Sequence, residues 1–201
     1  MKFNLFRIIL LCLLPSVGLA KGWREKTQAE LTKEDIEEFV HEARVHAHKI
    51  GIDKFRDEVT NRKSEFHKGE LYIFVIGFDG MNMGHGLNKA LVGRKVLGAK
   101  DKHNKFLVAE LLVRGNENRK KGMTKELESK IGGPVTLNED VLKKATFSQM
   151  PDNPDKKLGD GWVEYTWMHP VEKKMRKKLG YSAPLNDKYI IGSGFYPPEK
   201  K

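Results

Sequence analysis

Residues 71–78 read LYIFVIGF, followed by Asp79-Gly80 and then by MNMGHG at residues 81–86. The first run is continuously apolar and rich in β-branched and aromatic residues, which predicts a buried β-strand. An Asp-Gly pair is a preferred two-residue turn between antiparallel strands. We therefore predict a β-hairpin over residues 71–86, and this hairpin places a sheet at the centre of the fold.

The segment before the hairpin has a helical pattern. Thr32 followed by Asp35 resembles a capping box, in which two side chains satisfy free amides at a helix start. Apolar residues then recur at intervals of three and four from Ile36 to Ile50, which predicts a helix. Gly51 interrupts this stripe, and a second stripe continues to Val59. We expect a long, bent helix or a helical hairpin.

The segments after the hairpin complete the predicted topology. Residues 90–93 favour a short helical turn, and the apolar residues between 106 and 112 predict a helix. Strands are predicted at residues 162–167, 174–183 and 188–196. Helices segregated from an antiparallel sheet define the α+β class, so we predict an α+β domain.

A polar stretch lies between that last helix and the last three strands. Residues 116–159 are rich in lysine, contain Gly132-Gly133-Pro134, and carry Pro151 and Pro154 near their end. Glycine and proline interrupt regular structure, and long polar segments of this kind usually leave the core. We predict an excursion from the sheet, which could serve as a lid, a partner-docking arm or a loop.

The first twenty residues have the organisation of a secretory signal peptide. Lys2 and Arg7 precede an apolar run at residues 8–14, and small residues stand at Gly18 and Ala20. The run is much shorter than the roughly 20 residues that a membrane span requires. We predict cleavage after residue 20, which leaves residues 21–201 as one periplasmic or secreted domain without a transmembrane span. The alternative is an uncleaved amino-terminal anchor.

The composition limits the kinds of partner. The chain has a formal net charge of +10, and loss of the predicted signal would remove two cations and leave +8. A basic exported domain is attracted to anionic headgroups, polysaccharides or small anions. The lysine runs at 119–121 and 173–178 lack a nucleic-acid-binding motif, so we predict no nucleic acid partner. The one cysteine, Cys12, lies in the predicted signal, so the mature domain would have no disulfide.

Signatures of catalysis are absent from the sequence. No nucleophile elbow, zinc-binding helix motif, phosphate loop or dinucleotide fingerprint occurs. His41, His46 and His48 are not spaced to share one helix face. We therefore predict no enzymatic activity, no catalytic residue, no metal site and no cofactor. His85, between two glycines, is interpreted either as a ligand contact or as a turn histidine.

A series of short blocks in fixed order carries a family resemblance. FHKGELYIFV at 66–75, DG at 79–80, GHGLN at 84–88 and LVGR at 91–94 come first. GWVEYTW at 161–167, KLGY at 178–181 and IGSGFY at 191–196 follow. Together they resemble the single Cache domain family, in its second sequence type. Gly84 departs from the alanine usual before the histidine, and residues 116–159 are longer than the usual link.

The resemblance implies a PAS-like fold, with a five-stranded antiparallel sheet, a long helix behind it and a ligand pocket in front. It also implies binding or sensing of a small extracellular molecule, which we predict to be a short organic anion. Trp167 is interpreted mainly as core. Because Lys178 and Tyr181 are three apart on a strand, they are expected on opposite faces. The predicted ligand-binding residues are Tyr72, His85, Trp162, Tyr165, Lys178 and Tyr181.

Such a domain, without a signalling domain of its own, is expected to work with a membrane-bound signalling or transport protein. Two alternatives stay open. One is a structural or interaction protein that uses the basic arm at 116–159. The other is an enzyme that uses an acid–base pair such as His85 with Glu164.

Overall fold

The domain begins with two helices. The computed structural model describes residues 21–117, 161–186 and 188–198, so the predicted signal and most of the predicted insertion lie outside the described residues. Helix α1 spans Lys33–Ile50 and helix α2 spans Ile52–Thr60. The Thr32 and Asp35 side chains cap α1 reciprocally, as predicted. Gly51 separates the helices with φ of +91°, a conformation that favours glycine.

The strands form one large sheet and one small one. Strands β1 (His67–Lys68) and β2 (Leu71–Tyr72) pair as a small hairpin. Strands β3 (Phe74–Gly77), β4 (Asn82–His85), β5 (Trp162–Met168), β6 (Met175–Pro184) and β7 (Tyr189–Phe195) form a five-stranded sheet. Its order is β4-β3-β7-β6-β5, and all neighbours are antiparallel. The predicted α+β class and the five-stranded antiparallel sheet are confirmed.

Each face of the sheet has its own apolar cluster. Ile36, Phe39 and Phe55 of the amino-terminal helices pack against one face, together with Ile73 and Val75 of the central segment. The neighbouring positions of β3 point the other way and pack against the helix α3, Leu107–Glu117. This alternation is what a strand buried on both faces requires. We call the first side the α1 face and the second the α3 face.

Helix α3 extends beyond its predicted length. The predicted insertion begins at residue 116, but the helix continues through Glu117. Its contact with β6 is close: the Ser182 hydroxyl donates to the Leu111 carbonyl at 2.7 Å. A Cβ atom at Gly115 would lie only 3.0 Å from that hydroxyl oxygen. The glycine thus permits α3 to pack tightly against the sheet. The polar composition of the following segment had suggested that the chain leaves the sheet at this point.

The connection between β4 and α3 covers both edges of the large sheet. At the β4 edge, the Asn82 amide donates to the Arg94 carbonyl at 2.9 Å. At the β5 edge, the Thr166 amide donates to Asp101 at 3.0 Å. Exposed edges invite pairing with other chains, and these contacts occupy them. The same connection, residues 86–106, arches over the α3 face and contains a short 3₁₀ turn at Lys89–Leu91.

No helix within the described ranges is sufficiently long and apolar to cross a bilayer.

Candidate functional site

A cavity lies on the α3 face of the sheet, beneath the 86–106 connection. Its volume is about 70 Å³, which is room for about five water-sized groups. Most of its wall is apolar, and a few polar groups are gathered at the strands. The lining residues are Tyr72, Phe74, Ile76, Asn82, His85, Leu91, Val96, Ala99, Leu107, Val108, Leu111, Tyr165 and Trp167. Small-molecule sites commonly combine an apolar wall with a few polar groups.

Lys178 supplies a buried cation beside this cavity. The residue is 1% exposed, and its Nζ donates to the Tyr72 hydroxyl at 2.8 Å. The Nζ also lies 4.3 Å from the centre of the Tyr72 ring and 5.1 Å from that of Tyr196. No carboxylate of the described residues forms an ion pair with it. A buried ammonium without an anion is costly, because rings and a hydroxyl compensate only part of the lost hydration.

The hydroxyl of Tyr72 connects Lys178 to the cavity. Because its oxygen accepts from Lys178, its own proton is available for donation, and it meets no acceptor in the described part of the chain. The Tyr165 hydroxyl likewise makes no hydrogen bond with a described residue. Burial raises the pKa of Tyr165, and its neighbours Tyr72 and Tyr196 raise it further. The Tyr165 phenol therefore stays protonated, and both hydroxyls are free to donate to a ligand.

His85 adds a neutral donor. Its Nδ1 accepts from the backbone amides of Leu87 at 3.2 Å and Asn88 at 2.9 Å. The ring proton must then be on Nε2. Burial, and next the positive charge of Lys178, lower the His85 pKa to about 4. The imidazole ring lies 4.9 Å from the Tyr72 ring.

Asn82 is a polar wall residue that the sequence did not single out. It is 2% exposed, and its buried Oδ1 has no hydrogen-bond partner among the described residues. Unpaired buried polar atoms are rare in folded proteins. Its place two residues after Gly80 indicated that it lies in the hairpin, but gave no indication of function.

Trp162 and Tyr181, both predicted as ligand contacts, lie on the α1 face instead. They are partners across β5 and β6, their rings are 5.2 Å apart, and Trp162 Nε1 donates to Glu37 of α1 at 2.9 Å. The alternation of side chains along a strand places them opposite Tyr165 and Lys178. The predicted separation of Lys178 from Tyr181 is therefore observed, and neither Trp162 nor Tyr181 lines the cavity.

The acid–base pair that an enzyme would have needed is not formed. The Glu164 side chain is 55% exposed and pairs with Lys177 at 2.8 Å. It therefore points away from the buried His85. In the ranges that the structure describes, no group of three His, Cys, Asp or Glu side chains is arranged to hold a metal ion.

The residues that form the outer wall of the cavity were also not predicted from the sequence. Leu107, Val108 and Leu111 come from α3, and Leu91 and Val96 come from the connection. In the sequence these residues have the pattern of ordinary core positions. Nothing in that pattern separates a residue that packs against protein from one that packs against a ligand.

Comparison with known proteins identifies the family. The family model described as Single Cache domain 2 matches residues 21–132, which is more than half of the chain. The chain belongs to the single Cache domain family. The predicted resemblance is thereby confirmed, although the blocks at 161–196 lie beyond the matched range. A search of the curated proteins finds no match.

Solved structures resemble this Cache domain at low sequence identity. A methyl-accepting chemotaxis protein from Vibrio parahaemolyticus RIMD 2210633 aligns with a TM-score of 0.54 and 16% identity, covering 82% of this chain and 87% of its own. The periplasmic sensor domain of a chemotaxis protein aligns with a TM-score of 0.46, at 16% identity and coverages of 80% and 87%. A Cache chemosensory domain, solved in work on carboxylic acid recognition, also gives 0.46, at 16% identity and coverages of 83% and 99%.

Proposed function

We propose that this Cache domain is an extracytoplasmic receptor for a small organic anion, which it binds in the cavity on the α3 face. The observation that carries the proposal is Lys178, a 1% exposed cation with no anionic partner among the described residues. A bound carboxylate would supply the missing negative charge. Membership of a sensor-domain family makes ligand binding the expected activity.

Several polar groups of the cavity can contribute hydrogen bonds to the anion. The Tyr72 hydroxyl, the Tyr165 hydroxyl and His85 Nε2 would donate to the carboxylate oxygens. Lys178 would act through Tyr72, since its Nζ donates to that oxygen at 2.8 Å. A hydrogen bond strengthens when its donor is itself polarised by a cation.

The size and the wall of the cavity set the class of anion. Room for about five water-sized groups suits an acid of about four to six non-hydrogen atoms. Phe74, Leu107 and Leu111 offer an apolar wall for a short carbon chain. The unpaired Oδ1 of Asn82 could accept from a hydroxyl on the ligand. Short unbranched or hydroxylated monocarboxylates therefore fit best.

Calorimetric titration of acetate, propionate, lactate and pyruvate tests the proposal. At least one acid should bind the wild type, and Lys178→Met should weaken that binding tenfold to a hundredfold, since a charge-assisted contact contributes roughly 1.5–3 kcal/mol. Lys177→Met is the matched control, because Lys177 is the neighbouring residue on the exposed face. Without ligand, Lys178→Met should leave the unfolding free energy unchanged or raise it, because an uncompensated charge is removed.

Two results would contradict this function. If no acid of the panel binds the wild type, the cavity is not an anion site. If an acid binds and Lys178→Met binds it equally well, the charge does not come from Lys178. A third result would also contradict it: an equal loss of binding in Lys178→Met and in Lys177→Met would indicate a general effect of net charge.

We also propose that the domain acts outside the cytoplasm and communicates its ligand state to a membrane-bound signalling or transport protein. The family match begins at residue 21, the first residue of the predicted mature chain. The intact mass of protein recovered from the extracytoplasmic space should correspond to a start at Lys21. Retention of Met1 on that material would refute the predicted cleavage.

A further inference from the structure

The turn between β5 and β6 exposes an unusual concentration of apolar side chains. Within the described residues, four large hydrophobic side chains are exposed, and three of them lie between residues 168 and 175. Met168 is 47% exposed, Val171 72% and Met175 40%. We call residues 168–175 the hairpin tip. Single exposed apolar residues need no explanation, but a cluster on one projection indicates an interaction site.

The hairpin tip is held in one conformation by buried contacts. His169 is 4% exposed, and its Nε2 lies 3.1 Å from a Glu70 carboxylate oxygen. Its Nδ1 accepts from the Glu172 amide at 3.1 Å. The His169 amide donates to the Lys174 carbonyl at 2.7 Å. The apolar side chains are therefore presented by an ordered turn, and their exposure does not result from loss of structure.

The charge of the hairpin tip is positive. Glu172 is the one acidic residue in its sequence, and it pairs with Arg176 at 2.6 Å. Lys173 and Lys174 are both exposed and form no ion pair with the described residues. Two exposed cations thus stand next to three exposed apolar side chains.

We propose that the hairpin tip docks on an anionic membrane surface, with the apolar side chains in the interface and the two lysines against lipid headgroups. Apolar insertion combined with cationic attraction is how proteins bind such interfaces. A protein partner fits less well, because a stable protein interface buries about 800 Å² on each side. A narrow, convex turn offers much less than this, whereas a bilayer accepts any convex shape. The proposal is independent of the anion site.

Sedimentation of the full mature chain with lipid vesicles tests the proposal. Binding to vesicles of phosphatidylcholine with about one-third phosphatidylglycerol should exceed binding to pure phosphatidylcholine, and it should weaken at high salt. The double variant Lys173→Asn/Lys174→Gln should lose about 30-fold in affinity. Asparagine is chosen at 173 because Lys173 has φ of +54°, which asparagine tolerates. Val171→Ser should lose about tenfold.

Matched controls separate the hairpin tip from diffuse charge. Lys49→Gln/Lys54→Gln removes the same two charges from exposed positions of α1 and α2, and Val45→Ser removes an exposed valine from α1. Both controls should bind like the wild type, and thermal unfolding should show all variants folded. No binding of the wild type to anionic vesicles, or equal losses in variants and controls, would overturn the proposal. Binding instead to soluble polyglutamate, weakened by Val171→Ser, would overturn it in favour of an acidic protein partner.

Discussion

At His85, burial and the neighbouring cation act in the same direction. Both disfavour the protonated imidazole, and together they lower its pKa from an ordinary 6.5 to about 4. The backbone amides of Leu87 and Asn88 favour the same neutral form, because they require Nδ1 to accept. The residue is therefore a neutral hydrogen-bond donor in the free domain and not a second cation.

This shift predicts that acid destabilises the domain through His85. The unfolded chain takes up a proton near pH 6.5, whereas the folded state resists until about pH 4. The contribution to stability is thus complete above pH 6.5 and is lost as the pH falls towards 4, by about 3 kcal/mol in total. The free energy of unfolding can be measured with urea at pH 7.5 and at pH 4.5. Its decrease between these two pH values should be smaller for His85→Asn than for the wild type. Asparagine is chosen because it keeps an acceptor near the Nδ1 position. Equal losses in both proteins would contradict the assignment.

At the scale of the elements, strand β7 is packed closely on both of its neighbours. It lies in the middle of the large sheet, between β3 and β6. At Gly192 an added Cβ would lie 2.4 Å from Cζ of Phe74 and 2.5 Å from the Tyr181 carbonyl oxygen. The glycine thus allows the Phe74 ring, which lines the cavity, to lie directly on the strand. The GSG sequence at 192–194 reflects close approach, not a turn.

Gly192→Ala is accordingly expected to destabilise the domain. Overpacking of this kind costs about 3 kcal/mol when the obstacle is partly backbone, because the carbonyl cannot rotate away. The control is Gly98→Ala, where no atom lies within 4 Å of the added Cβ. Denaturant unfolding should show a large loss for Gly192→Ala and little change for Gly98→Ala. Similar stabilities for the two variants would show that the strand can shift to accommodate the methyl group.

At the scale of the molecule, the described residues place one helical layer on each face of the large sheet. Among the described residues, the α1 face and the α3 face each carry a buried apolar cluster. Helix α3 reaches Glu117, and β5 begins at Trp162. Both flanking elements pack on the sheet through these described residues.

We therefore predict that the intervening segment can be removed. Replacing residues 118–160 with a glycine-serine linker should leave a folded domain, since polar, proline-containing segments usually tolerate such changes. Thermal unfolding followed by circular dichroism should retain one cooperative transition. A variant without such a transition would show that the segment contributes to the core.

The sequence by itself determined the local structure. The apolar run at 71–78 with Asp79-Gly80 predicted the hairpin, and Thr32 with Asp35 predicted the start of α1, because these signals depend on near neighbours. The order of such elements predicted the α+β class, and the resemblance of several short sequence blocks indicated the family. Strand alternation also predicted that Lys178 and Tyr181 would face opposite ways. The hairpin, the helix start and the alternation each follow from the geometry of a single segment.

Only the tertiary structure decided which face holds the cavity and what surrounds it. Strand alternation puts Trp162 and Tyr165 on opposite faces, but only the structure shows that Trp162 packs on α1 and that Tyr165 lines the cavity. Asn82, Leu107 and Leu111 line the cavity because α3 and the 86–106 connection cover this face of the sheet. The physical reason is that strand order and helix docking depend on contacts between residues far apart in the chain. A residue that lines a cavity and a residue in the core are both apolar, so hydrophobicity does not distinguish them. The two differ only in whether the packed elements leave a space beside them.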